Sequence, residues 1–221
     1  MTSTRQSSSK GTSTRANRKS PRQRNAQRCK EKVIETAERL IALNGSAVSI
    51  NDIAREAGYS KSGVLHHFPT REHLLQEVAV ATQARFDDLV ASYLDPEDTK
   101  PGRWLRAYIR ALCQDTDAVS QFFRSSALWL EFKKIPLIEA AIAADNKLWT
   151  RRFTMDGTDP VIAKLIERAT EGIATAISQG DDDINNVEAT VELLLRLSYI
   201  TTEEAHNSSA MEAAISTILP Q

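Results

Sequence analysis

The chain has 221 residues, 41% of them hydrophobic and 26% charged, a balance with which one or two soluble domains can bury a core. No stretch approaches the roughly 20 apolar residues that span a bilayer, and the opening MTSTRQSSSKGTSTR lacks the apolar segment of a secretory signal. The formal net charge of -1 hides a split: ten of the 28 basic side chains fall in residues 1–32 against one acid, Glu31, so the rest carries 18 basic and 28 acidic residues and only one end suits a polyanion.

In chain order, residues 1–23 are Ser, Thr, Arg, Lys, Gly and Asn with almost nothing apolar, and are expected to be a disordered basic arm. Two readings of the arm stand: a solvated leader, or a segment that raises DNA affinity without reading sequence. From there the patterns are helical. Val33, Ile34, Ala37, Leu40 and Ile41 make one face of a first helix stopped by Asn44-Gly45. Ser49, followed three residues on by Asp52, caps a short second helix ending at Gly58. Ser60 caps a third, to about His67, and Phe68-Pro69 breaks it. Thr70 caps a long helix to about Leu94. Beyond a linker at 95–101, helical patterns cover roughly 102–116, 118–133, 137–154, 160–179, 185–205 and 209–219. No segment alternates with period two between turns, so the chain is expected to be all-α. Cys29 and Cys113 form no CxxC pair, which suits a reducing, cytoplasmic setting, with a bridge between them as the alternative.

Ile50–Ala57, the turn Gly58-Tyr59-Ser60 and Lys61–His67 have the layout of a helix-turn-helix. Ile53, Ala54, Ala57 and Val64 pack the two helices, and small residues at 54, 57 and 58 let them approach. The N-terminal end of the second helix is then free to enter a major groove, where base edges are distinguishable. The longer string from Ser49 to Leu75 (SINDIAREAGYSKSGVLHHFPTREHLL) resembles the signature of TetR/AcrR-family transcriptional regulators, and the likeness covers about residues 28–80 without a gap. The resemblance implies an N-terminal three-helix DNA-binding domain (24–75) and a C-terminal helical domain for effector binding and dimerisation (76–221). It also implies site residues. Lys61, Ser62 and Gly63, behind the cap Ser60, would face bases; His66 and His67 would meet the backbone. Thr70 and Arg71, and one helix earlier Ser49, would offer phosphate a helix start. Leu65 departs from the family, which commonly has an aromatic there.

Further on, Trp104, Tyr108, Phe122, Phe123, Trp129, Trp149 and Phe153 concentrate aromatic area. They are either ordinary core or, as the resemblance implies, the lining of a pocket for an apolar or amphipathic effector. In 160–179, Ile162, Leu165, Ile166, Ala169, Ile173, Ala176 and Ile177 form a stripe with Gly172 beside it, and in 185–205 Leu193, Leu197 and Ile200 lie opposite Val187, Val191 and Leu194. A helix apolar on two sides needs two covers, so Ile162, Ala169, Gly172, Ile173, Ala176, Leu193, Leu197 and Ile200 are expected at a homodimer interface. His66, His67 and His73 lack the spaced partners of a metal site, and no phosphate loop, HExxH, GxSxG or paired-carboxylate motif calls for a cofactor or an enzyme. The expected function is a dimeric repressor that binds a palindromic operator in double-stranded DNA and is released by a small effector. The alternatives are a ligand-independent dimeric DNA-binding protein and, more weakly, a helical-bundle enzyme.

Overall fold

A computed structural model describes residues 20–114, 132–133, 135–180 and 184–218. Within them lie ten α-helices, and the single β-feature is an isolated bridge between Thr158 and Thr201. The first helix, α1 (Pro21–Asn44), begins inside the stretch expected to be a disordered arm. Pro21 suits the first helical position, and Ser20 and Gln23 cap each other's backbone N–H. Helix α2 (Ile50–Ala57) ends on Gly58 at φ 78°, a left-handed cap from which the backbone turns into α3 (Lys61–His67). Val64 of α3 is fully buried against Ile53 and Ala54 of α2, and Phe68 closes the same core. Helix α4 (Arg71–Ser92) supplies Leu74, Leu75, Val78 and Ala79 to this core and Phe86 and Val90 to the next. The N-terminal core is completed from downstream: Phe132 and Ile138, at the head of α6 (Pro136–Met155), are buried in it.

The second core is centred on α5 (Arg103–Cys113), from which Leu105 to Ile109 and Ala111 to Cys113 are all buried. Packed around it are α4, α6, α7 (Pro160–Gln179) and α8 (Ile184–Leu197). Arg106 is fully buried and fully bonded: Nε and Nη2 donate to the two Asp98 oxygens at 2.6 and 2.8 Å, Nη2 also to the Lys100 carbonyl, and Nη1 to the Pro101 carbonyl and Ser198 Oγ. Its plane lies 4.0 Å from the centroid of Tyr199. The linker after α4 is thereby clamped to the end of α8.

One expected helix is two. The pattern over 185–205 breaks at Ser198–Ile200, and α9 (Thr202–His206) starts afresh before α10 (Ser208–Ile218). The cause is a reciprocal cap between Thr201 and Glu204, together with the pull of Arg106 on Ser198. The Cys29 and Cys113 thiols are both free and buried; burial alone pushes the Cys113 thiol up to about 12.

Candidate nucleic-acid interface

The two short helices are held by side-chain caps. Ser60 Oγ accepts from the Gly63 N–H at 3.0 Å and lies 3.1 Å from Ser62 Oγ, so the start of α3 is pinned while Lys61 and Ser62 stay exposed and Gly63 is half-buried. Ser49 Oγ accepts from the Asp52 N–H at 3.2 Å and donates to Asp52 Oδ2 at 2.6 Å. These hydrogen bonds from Ser49, with Arg55 adding to them, hold the Asp52 carboxyl below its usual range. An ionised carboxylate therefore stands at the start of α2, where the resemblance implies a phosphate, and Ser49 serves as a cap. At α4, Thr70 Oγ1 accepts from the His73 N–H at 3.1 Å. Arg71 is half-buried, its Nε donating to the Val48 carbonyl at 3.4 Å, so this side chain also anchors the approach to α2.

At the far end of α3, His66 is exposed and His67 half-buried, their rings 5.3 Å apart edge to face. Burial, then the neighbouring His66 and Lys30, pushes the His67 imidazole below its ordinary value. Lys30 of α1 lies 5.8 Å over the Phe68 ring, so a basic residue that the motif does not contain joins this surface. The half-exposed Tyr59, at 39%, stands in the turn before α3. An aromatic in a turn that has no core to fill was the available signal for it. Leu65 is half-buried. An exposed ion pair of Arg39 with Glu56, 2.7 Å long, ties α1 to α2.

Of the aromatic set, the structure brings Trp104, Tyr108, Trp149 and Phe153 together; Phe122, Phe123 and Trp129 lie outside the described residues. Tyr108 and Trp149 are 5.5 Å apart between centroids, Tyr108 and Phe153 5.5 Å, and Trp104 and Trp149 6.3 Å. Phe86 of α4 joins them at 5.6 Å from Trp149. Arg152 covers the faces of Trp104 and Trp149 at 4.5 and 4.3 Å and lies 3.6 Å from Asp87 of α4. The Tyr108 phenol is raised well above its ordinary value, by burial first and by Glu171 next.

Along α7 the stripe that meets its own core is Ala163, Ile166, Glu167, Thr170 and Ala174. Val161 and Leu165 are 75% and 55% exposed, Gly172 is exposed, and Ile162, Ala169, Ile173 and Ala176 are half-buried at the flanks. On α8, Leu193 and Leu197 are half-buried. Ile200 corrects the expected interface: at 2% exposure it is covered by its own chain, because the helix ends before it and the turn points it inward. Among the described residues no three His, Cys, Asp or Glu side chains gather as metal ligands.

Two family models match the chain. Residues 33–78 match the bacterial regulatory proteins of the tetR family, and residues 102–199 match the tetracyclin repressor-like C-terminal domain. No curated protein matches. Among solved structures, a TetR-like transcriptional regulator from Rhodococcus sp. RHA1 is similar at 18% identity and TM-score 0.60, over 81% of this chain and 97% of that one. A TetR transcription regulator from Haloarcula marismortui is similar at 16% identity and TM-score 0.61, over 78% and 97%. The multidrug binding protein EbrR, complexed with malachite green, is similar at 23% identity and TM-score 0.60, over 76% and 96%. At these identities the likeness is one of fold.

Proposed function

The chain belongs to the TetR family of bacterial regulatory proteins, and on that premise we propose that it is a homodimeric transcriptional repressor that reads a palindromic operator and is released by a small apolar or amphipathic effector. The observation that carries DNA recognition is the pinned start of α3. Ser60 orders the backbone there, Lys61 and Ser62 project into solvent, and Val64 anchors the opposite face. A rigid helix end with exposed polar side chains is what major-groove reading requires. Lys61, Ser62 and Gly63 are the base-facing residues, and His66, His67 and Thr70 meet the backbone. Arg71 contributes charge from a partly anchored position.

Dimerisation is supported by the apolar outer face of α7, where Leu165 and Gly172 are exposed in line with the half-buried Ala169 and Ala176, with Leu193 on α8. The pocket reading rests on Trp104, Tyr108, Trp149 and Phe153, and the EbrR complex supports it as a protein of this fold that holds a bulky ligand. No helix among the described residues is long and apolar enough to cross a membrane, and action on DNA places the protein in the cytoplasm. Selection from a random pool of duplexes tests the function. An inverted repeat with half-sites one or more turns of about 10 base pairs apart is expected; recovery of duplexes with no shared motif overturns the proposal.

One observation favours a ligand-independent DNA-binding protein instead: the four aromatic rings already pack on each other. Tryptophan fluorescence separates the readings. An effector that enters this cluster shifts the emission and weakens DNA binding at the same concentration, whereas a panel of apolar compounds that changes neither assigns the cluster to core.

A further inference from the structure

We propose that the corner between Trp104 and Trp149 is the charge-reading end of the effector site, where a flat organic cation displaces the Arg152 guanidinium and is held by Asp87 and Asp145. This rests on the effector reading of the aromatic cluster and deepens it by giving the effector a positive charge. Three observations converge. First, the corner already holds a group of that kind. The two indole rings stand 6.3 Å apart at 72°, and Arg152 Cζ lies 4.5 and 4.3 Å from their centroids. A guanidinium is planar, delocalised and weakly hydrated, so it stands in for the class of ligand that an indole face attracts. Secondly, the acids here outnumber this cation. Asp145, Trp149 and Arg152 share one face of α6 at i, i+4 and i+7, opposite Gln83 and Asp87 on α4. Burial first, and the Asp87 charge next, push the Asp145 carboxyl above its usual range, against the Gln83 hydrogen bond and the Arg152 charge. Arg152 leaves Asp87 poorly answered. Its Nη2 is 3.6 Å from Asp87 Oδ2, beyond hydrogen-bond length, and Asp87 Oδ1 is buried with no hydrogen-bond partner among the described residues. Thirdly, the corner opens to solvent. Trp149 is its buried floor, whereas Trp104, Arg152, Asp87 and Asp145 are half-buried. The Arg152 side chain, 31% exposed, can therefore swing out without unpacking the core. The indole walls suit an organic cation, and no third ligand completes a metal site among the described residues.

The test is equilibrium dialysis of the full chain against N-methylquinolinium and 1-methylnaphthalene, which share one shape and differ by the charge. D87N/D145N should weaken uptake of the cation about tenfold and leave the neutral probe as in the wild type, with helicity unchanged by circular dichroism. R152A, which empties the corner, should bind the cation about tenfold more tightly than the wild type does. A cation affinity that is unchanged in D87N/D145N, or that falls together with that of the neutral probe, overturns this inference alone. Uptake of the neutral probe only also overturns it and leaves the effector site apolar. A cation held less tightly by R152A than by the wild type overturns it too, because Arg152 is then a wall of the site and not its occupant. Uptake of neither probe, by the wild type and R152A alike, overturns the effector reading of the cluster itself. Should the double variant lose helicity, D87N alone carries the test, with about a threefold loss of cation affinity expected.

Discussion

Ile138 belongs to the C-terminal half of the chain yet is fully buried in the core of the N-terminal helices, beside Phe132. Replacing it with alanine removes three methylene-sized groups from a site that water does not reach. At about 0.8 kcal/mol per group the transfer loss is near 2.4 kcal/mol. An unrelaxed cavity raises this to about 3–4 kcal/mol, within the usual range for such truncations. For a chain of this size each kcal/mol lowers the melting temperature by roughly 2–4 °C, so Ile138→Ala should melt about 6–16 °C below the wild type. Where the loss is felt is the sharper test. Amide exchange at Val33, Ala37 and Val64 reports the N-terminal core, whereas Trp104 and Trp149 report the second one. If α6 closes the N-terminal core, exchange at those three amides should accelerate about a hundredfold or more, 3 kcal/mol being just over two decades. Unchanged exchange in α1 and α3, with the melting temperature lowered only by tryptophan emission, would refute the shared core.

Leu165→Glu places a charge on the exposed face of α7; if that face meets a second copy, sedimentation should show a monomer with its secondary structure intact and tight operator binding lost, and a persisting dimer removes α7 from the interface. Arg71→Ala should weaken DNA binding in a gel shift and also lower the melting temperature, because the Val48 carbonyl loses its donor; a normal melting temperature would show the anchor to be idle. Gly102→Ala forces a side chain onto φ 82° with its Cβ 2.1 Å from the Ser198 carbonyl oxygen, at a cost on the order of 2 kcal/mol or more, read as a lower denaturant midpoint. The Arg106 guanidinium holds the Asp98 carboxyl below its usual range, so the ionised form is favoured in the folded state. Its contribution is complete above the unfolded value of about 4 and is lost as pH falls through the lower folded value. Asp98→Asn should therefore lower the melting temperature at neutral pH and flatten its decline on acidification, and a decline as steep as in the wild type would exclude Asp98 as its source.

The helix starts were legible because they are local. Ser49, Ser60 and Thr70 each cap through a hydroxyl and a backbone N–H three residues on, and Gly58 takes the left-handed turn that its position after Ala57 suggests. The break at Ser198–Ile200 was missed for the opposite reason. No glycine or proline marks it, and the Arg106 side chain that holds Ser198 comes from 92 residues away. Carrying the apolar period through that break put Ile200 on an outer face that it does not occupy. The Thr201–Glu204 capping box was the available local warning. Periodicity also shows that α6 has an apolar face without showing which core covers it, so the entry of Ile138 into the N-terminal domain lay beyond reach.

These two non-local features bear on how the halves of a regulator can influence each other. Helix α4 is 22 residues long, about 33 Å, and its first two turns lie in one core while Phe86 and Val90 lie in the other. A hinge at its far end would isolate the DNA-binding helices, but the linker there is clamped by Arg106 to the end of α8. Near the other end, Ile138 at the head of α6 and Phe132 just before it are buried in the same core as Leu74, Leu75, Val78 and Ala79 of α4. Arg152 of α6, stacked on Trp104 and Trp149, stands 3.6 Å from Asp87, which lies beside Phe86 near the far end of α4. A displacement within the aromatic cluster would therefore reach α4 through this charged contact, on a helix shared by both cores.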